Sequence, residues 1–348
     1  MKTLNNFLNT SVPHINGTLN KVGLSIISLA AFIILALVPS FAGNEYIIRL
    51  GVSCLMYGTL AMGFDLSAGF IDVANWGYAA LMGLSGYVSA LLFANFGISP
   101  WIGLFVGALA STLLGWGIAL LTMKMDGLFT ALLAWFVGII LMSVVAALPE
   151  LTRGVLGLSV QPLFETPWST PYYYVIFIIC VLTFMTLKMV TNSKLGLAFR
   201  ALGQDMEAAK YAGVNPRKYR TINFLISCFI AGLCGSFYAH FVGILTPSVM
   251  ATKNTIQVLV IAYIGGRGSI WGPLMAAFIL LPIFESLNSL LELKYILYGI
   301  TLIMVMIFYP NGMSGFLNQL KGYVFEKFNI KSANNDALEN GKDTQKNI

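Results

Sequence analysis

Asp65, Asp72, Asn75, His240 and Glu285 stand in or beside long apolar runs of a 348-residue chain. A charge at the centre of a membrane helix costs about 2.5–3.5 kcal/mol on insertion scales, so such a side chain faces a cavity or a partner. The chemistry open to these residues is ion pairing, proton relay or the lining of a polar pathway. Asp72, Asn75 and Glu285 are the candidates for a translocation path. The plain alternative for Asp72 is an N-terminal cap on a helix that starts at the interface. His240, near the end of its run, suits hydrogen bonding at the interface better than proton relay.

Other chemistry is missing from the sequence. A phosphate-cradling loop needs Gly-x-x-x-x-Gly-Lys-Ser/Thr. Gly265 to Ser269 is glycine-rich, but no lysine follows it. There is no HExxH, no G-x-S-x-G and no Cys/His cluster. Histidines number only two, His14 and His240. An intramembrane metalloenzyme or a His-based triad is therefore disfavoured. The four cysteines, Cys54, Cys180, Cys228 and Cys234, lie in apolar runs without zinc or disulfide spacing.

The elements that hold these residues must be helices in a bilayer. Apolar types make up 57% of the chain and charged types 10%, against about 25% charged in soluble domains. Continuous apolar runs favour helices over barrel strands, which would alternate. The expected fold is all-α, a polytopic integral membrane protein of about eight to ten transmembrane helices. Runs of spanning character lie near 24–42, 47–66, 72–94, 101–122, 127–148, 171–190, 221–245, 252–265, 272–290 and 295–310. Asp72 and Asn75 interrupt the start of the third. The eighth is short and meets Gly265-Gly266-Arg267-Gly268. Half-helices or re-entrant pieces buried against protein are alternatives there. Residues 1–23 form a polar N-terminal segment, 24–310 the transmembrane domain and 311–348 a polar tail, disordered at its end.

Charge sets the orientation. With the N-terminus in the cytoplasm, only Arg49, Arg153, Lys253 and Lys294 of the 20 Lys and Arg fall outside. That bias follows the positive-inside rule and returns the C-terminus to the cytoplasm. The net charge of +6 therefore marks topology and not nucleic-acid binding. The longest polar interval is the cytoplasmic loop 192–220. Ala, Leu, Met and Glu favour helix up to Tyr211. Gly213 suits a stop and Pro216 prevents continuation. The loop is either a simple interfacial linker or a docking element for a soluble partner.

Arg200-Ala-Leu-Gly-Gln-Asp-Met-Glu-Ala-Ala-Lys-Tyr-Ala-Gly-Val-Asn215 resembles the coupling loop of ABC importer permeases of the branched-chain amino acid type, the LivM/LivH family. Ala231 to Ala239 is similar to that family's small-residue helix. Gly265-Gly-Arg-Gly-Ser-Ile-Trp-Gly-Pro273 resembles its glycine turn, and Thr152 to Leu158 an outside glycine-rich turn with Leu156 where Asn is usual. The resemblance runs from about Gly58 to Pro310. Within Asp72 to Tyr78, Gln, Ser and His commonly stand at the places of Val73, Asn75 and Tyr78.

The resemblance implies a permease subunit that moves hydrophobic amino acids across the bacterial inner membrane by alternating access. Glu207, Ala208, Ala209 and Gly213 would form the ATPase-coupling loop. Gly265, Gly266, Gly268 and Gly272 would form a structural turn. It also implies a second, LivH-like permease subunit, two ABC ATPase subunits and an extracytoplasmic binding protein. ATP is used by partners, and this chain is expected to bind no cofactor or metal and to catalyse nothing itself. Urea, amides or other amino acids are alternative substrates. An ion-coupled secondary transporter using Asp65, Asp72 and Glu285 is the rival class.

Overall fold

The computed structural model describes residues 26–41, 43–122, 125, 127–286, 293–308, 312, 313 and 315. The predicted segment 1–23 lies outside the described residues, as does nearly all of the 311–348 tail. The long helices are α1 Ile26–Phe41, α2 Glu45–Ala68, α3 Tyr78–Phe96, α4 Pro100–Leu121, α5 Gly127–Ala147 and α6 Thr170–Thr191. Two shorter ones follow, α7 Lys194–Gln204 and α8 Met206–Tyr211. The chain continues through α9 Pro216–Val242, α10 Thr252–Gly265, α11 Trp271–Ser286 and α12 Leu293–Phe308. Strand β1, Leu158–Ser159, pairs antiparallel with β2, Ile244–Leu245.

Every predicted run has a helix. Six helices, α2 to α6 and α9, are long and apolar enough to cross a membrane. Local chemistry sets several ends. Asn44 accepts from Tyr46 N at 3.0 Å before α2, and Asn215 accepts from Lys218 N at 3.3 Å before α9. Pro100 and Pro216 occupy first turns, where the missing N–H costs nothing.

The third and eighth runs differ from the simple expectation. Helix α3 starts at Tyr78, not at 72. Asp72 takes the left-handed conformation, φ 60°, and the Asn75 side chain accepts from Gly77 N at 3.1 Å. Residues 69–77 are therefore a loop, and Asp72 caps no helix. Helix α10 has 14 residues, about 21 Å at 1.5 Å per residue, short of a core of about 30 Å. The chain reaches it through a 3₁₀ turn, Pro247–Met250, laid along α3. Leu245 O accepts the Tyr87 hydroxyl at 3.3 Å, and the Met250 side chain fills the notch at Gly83. Non-helical backbone at that depth is tolerable because it is buried against protein.

Helix α2 is the centre of the bundle. Its most apolar window is 72% buried, against 28% for α5, which is covered far less by the rest of this chain. Helix α9 packs along α3 and α4, while α6, α9 and α11 surround α2. Small residues permit the close crossings: a Cβ at Gly232 would meet Ala108 Cα at 2.6 Å, and one at Gly63 would meet the Tyr78 hydroxyl at 2.6 Å. Polar ties then fix the register. Ser227 Oγ donates to Gly63 O at 2.7 Å, and Asn223 Nδ2 donates to Leu66 O at 2.7 Å. Such bonds average about 0.6 kcal/mol in membranes, too little to drive association but enough to select one alignment.

The loops sort onto two sides. Arg200 lies over the Phe70 ring at 5.6 Å, Gly268 N donates to Asp65, and Arg220 donates to Met125 O. Loops 69–77, 192–215 and 266–270 thus share the first side with Met125. On the second side, Ser169 N donates to Glu45 at 2.6 Å, β1 pairs with β2, and Trp101 meets Phe164 edge-on. Of the four outlying cations, Arg49 and Arg153 lie on this second side. The four cysteines are buried and free.

Candidate coupling site and outer groove

The first side carries an exposed pair of helices, α7 and α8. Ser193 caps α7 by accepting from Leu195 N at 3.1 Å. Gly196, Ala198, Phe199 and Leu202 turn its apolar face inward. The expected single helix is broken at Asp205, which is extended (φ −156°) and accepts from Ala208 N at 2.9 Å. Asp205 therefore ends α7 and caps α8. An Asp followed by Met-Glu-Ala was the available signal for that break. Glu207 and Ala208 are exposed and Ala209 is buried. Glu207 pairs with Lys210 at 3.6 Å on the surface. Gly213 ends the element with φ 85°, a conformation that favours glycine.

Two residues on this face were not singled out from sequence. Leu197 is 71% exposed and Tyr211 is 86% exposed. An aromatic group such as Tyr211 is among the usual anchors of a protein interface.

Beneath α7 lies the 69–77 loop. A Cβ at Gly203 would run into Phe70 O, so α7 sits directly on that backbone. Arg220, from the first turns of α9, donates to Met125 O at 3.1 Å and to Thr130 at 3.0 Å. A groove of about 340 Å³ opens between these parts, lined by Asp72, Gly203, Met206 and Arg220 among others.

The same loop is clasped to the glycine turn. Arg267 forms an ion pair with Asp72, donates to Ala68 O at 3.3 Å and stacks over Tyr263 at 5.1 Å. Gly268 N donates to Asp65 Oδ1 at 3.1 Å. Gly268 has φ 71° and Gly266 φ 109°. Gly265 and Gly272 approach so closely that a Cβ on either would enter the other's backbone. The turn is a reversal that joins α10 to α11 and locks onto the end of α2.

The three path candidates are not brought together. Asp72 and Asn75 lie on the first side. Asn75 is buried, with Gly77 held against Ala134 O. Glu285 lies on the other side, at the far end of α11. Fourteen residues separate it from Trp271, about 21 Å of helix. There Tyr46, Arg49, Leu50, Ser53, Phe241, Val242 and Glu285 line a groove of about 480 Å³. Tyr78, at the position where the resembled family commonly has His, is fully buried. Its hydroxyl donates to Ser227 O at 3.2 Å. His240 is buried, with Nε2 at 2.7 Å from Ser89 Oγ and Nδ1 at 2.6 Å from Gln161 O. Hydrogen bonding is its role, though inside the protein and not at the interface. In the run Trp168 to Tyr174 on this side, Trp168 and Tyr174 are exposed, while Tyr172 and Tyr173 are buried.

Spanning helices tied by small residues and buried hydrogen bonds, with cations gathered on one side, define a multi-pass membrane protein. The chain belongs to the branched-chain amino acid transport system / permease component family, whose sequence profile matches residues 46–306. It is similar to the high-affinity branched-chain amino acid transport system permease protein LivM of Escherichia coli K12. The two are 24% identical over 330 residues, covering 87% of this chain and 77% of that one. LivM of Salmonella typhimurium is equally similar, 24% over the same length. LivH of Escherichia coli K12 is 26% identical over 282 residues, covering 74% of this chain and 91% of its own. No solved structure gives a significant match. The family membership accords with a permease and does not favour an ion-coupled secondary transporter.

Proposed function

We propose that this chain is one permease subunit of an ATP-driven importer of branched-chain amino acids in a bacterial inner membrane. On this reading its first side faces the cytoplasm, the side on which the cation bias of the sequence leads one to expect both termini. Two ATPase subunits bind ATP, and one of them docks on α7 and α8 through Glu207, Ala208, Leu197 and Tyr211. A second, LivH-like permease completes the pathway, and an extracytoplasmic binding protein delivers substrate to the opposite face.

The single observation that carries this reading is the continuous path from α8 to the bundle centre. Helix α7 rests on Phe70, the 69–77 loop is clasped through Asp72 to Arg267, and Arg267 begins the turn between α10 and α11. Closure of the ATPases moves α7 and α8. The rigid backbone contact at Gly203 passes that motion to the loop, and the clasp passes it to α10 and α11. The ends of α2 and α11 then rearrange, and access alternates between the two faces. Asp72 and Asn75 act in this linkage and not as a path lining.

The test is co-purification. The chain is expressed with its permease partner and the two ATPases, and ATPase recovery is measured. Glu207→Lys and Gly213→Leu are expected to strip the ATPase while the permease pair stays assembled. Full ATPase recovery with both variants would contradict the docking assignment.

A further inference from the structure

Helix α10 begins inside the bundle. Trp135 stands in the 21-residue α5, eight residues past Gly127 and so about 12 Å along it. Its Nε1 donates to Thr252 Oγ1 at 2.8 Å. Thr255 Oγ1 accepts from Ala79 N, in the first turn of α3, at 3.1 Å. The first turns of α10 therefore lie at a depth where α5 is crossing the bilayer. Gln257 follows in the next turn and is half-buried. Its side-chain amide makes no hydrogen bond among the described residues. Lys253, which keeps an interaction of its own, is exposed one turn earlier on the same face. Hydrocarbon offers an amide no replacement for the hydrogen bonds it makes in water. Lipid is the wrong neighbour for this face.

Its flanks have the opposite chemistry. Helix α10 packs against both α5 and α12. Each turns large apolar side chains outward: Phe136, beside Trp135, on α5, and Ile296 and Ile300 on α12. An amide between two apolar shoulders suits helices that meet in a membrane, where the shoulders pack by van der Waals contact and the amide bonds across. The outer faces of α4 and α6 differ. They expose Leu113 and Leu182. Thr112 and Thr186 return their hydroxyls to carbonyls of their own helices, at 2.7 and 2.8 Å. Lipid satisfies such a surface.

We propose that the face formed by α5, α10 and α12 is the seam with the second permease subunit. Phe136 and Ile300 pack against that subunit, and Gln257 hydrogen-bonds across to it. Only another membrane-spanning chain reaches this depth, and the outer faces of α4 and α6 are left to lipid. The inference rests on the permease reading and adds to it the face of this chain that meets its partner.

The test uses the full chain expressed with the second permease and both ATPases, and reconstituted in nanodiscs. The photoreactive residue p-benzoylphenylalanine is placed singly at Phe136, Gln257, Ile300, Leu113 and Leu182. Illumination is expected to link the first three positions to the second permease and to leave the last two unlinked. Retention of the second permease with links only from Leu113 or Leu182, or with none from any position, overturns the seam and leaves the permease reading intact. Links from Gln257 only to a second copy of this chain, in an assembly without the second permease, overturn the permease pair itself. Gln257→Leu separates a seam from a lipid-facing position. It is expected to weaken retention of the second permease about two- to threefold, the worth of one interhelical hydrogen bond in a membrane. Equal or tighter retention overturns the bond across the seam.

Discussion

Asp72 and Arg267, 195 residues apart, form an ion pair that joins the loop after α2 to the turn between α10 and α11. Asp72 holds a left-handed backbone, φ 60°, to do so. Both side chains are substantially exposed, 64% and 41%. Exposed pairs contribute about 0–1 kcal/mol, so stability does not explain the arrangement. The coupling role proposed above gives the pair a function instead.

Arg267→Gln is therefore expected to leave thermal stability nearly unchanged. Substrate uptake per ATP hydrolysed is expected to fall. The charge swap Asp72→Arg with Arg267→Asp is expected to recover part of it. Paired ATPase and uptake rates on one proteoliposome preparation check this. Unchanged coupling in Arg267→Gln contradicts it.

The glycine reversal makes a different demand. A Cβ at Gly265 would enter the backbone of Gly272 and Pro273, which cannot move aside like a flexible side chain. Overpacking of this kind costs about 1–3 kcal/mol. Gly265→Val is expected to lower the unfolding midpoint in detergent. Gly117→Val, with nothing within 4 Å, is the control and is expected to show no such loss.

His240 bridges Ser89 on α3 and Gln161 in the 148–169 loop. Removing it leaves a part-buried carbonyl and a buried hydroxyl short of a partner, at about 1–3 kcal/mol. His240→Ala is expected to be destabilised by that order. His240→Gln, which can reach both groups, is expected to lose less. Thermal unfolding of the three proteins separates them, and equal stability of His240→Ala and the parent contradicts the bridge.

Tyr211 makes the opposite case. It is 86% exposed and supports little of the fold. Tyr211→Ala is expected to change stability by less than about 0.5 kcal/mol. Interface anchors cost at least about 2 kcal/mol on truncation, so ATPase affinity is expected to fall about tenfold or more. Titration of the ATPase against the permease pair measures it.

Much of the architecture was legible in the sequence. In this chain each of the ten apolar runs carries a helix, six of them long and apolar enough to cross a membrane. The cation bias anticipated the two sides on which the described loops meet. The glycine turn was readable because glycine alone fits both the positive φ at Gly268 and the approach of Gly265 to Gly272. What stayed hidden depends on tertiary contact. Nothing local marks Asp72 as the partner of Arg267, or Phe70 as the seat of Gly203. Hydropathy puts the start of α3 near 72, six residues early, because it does not register the left-handed turn at Asp72. Arg49 was counted only as an outside cation, and its sharing a groove with Glu285 required the helices to be packed.

On the function proposed above, this chain conducts branched-chain amino acids only when ATPase partners drive it. The direct measurement is radiolabelled leucine uptake into proteoliposomes holding the complete assembly, with binding protein outside and ATP at the ATPase face. Uptake is predicted to require ATP and both ATPase subunits, to be competed by isoleucine and valine, and to ignore urea and short amides. Uptake that persists without the ATPases, or that a proton gradient alone sustains, contradicts the account.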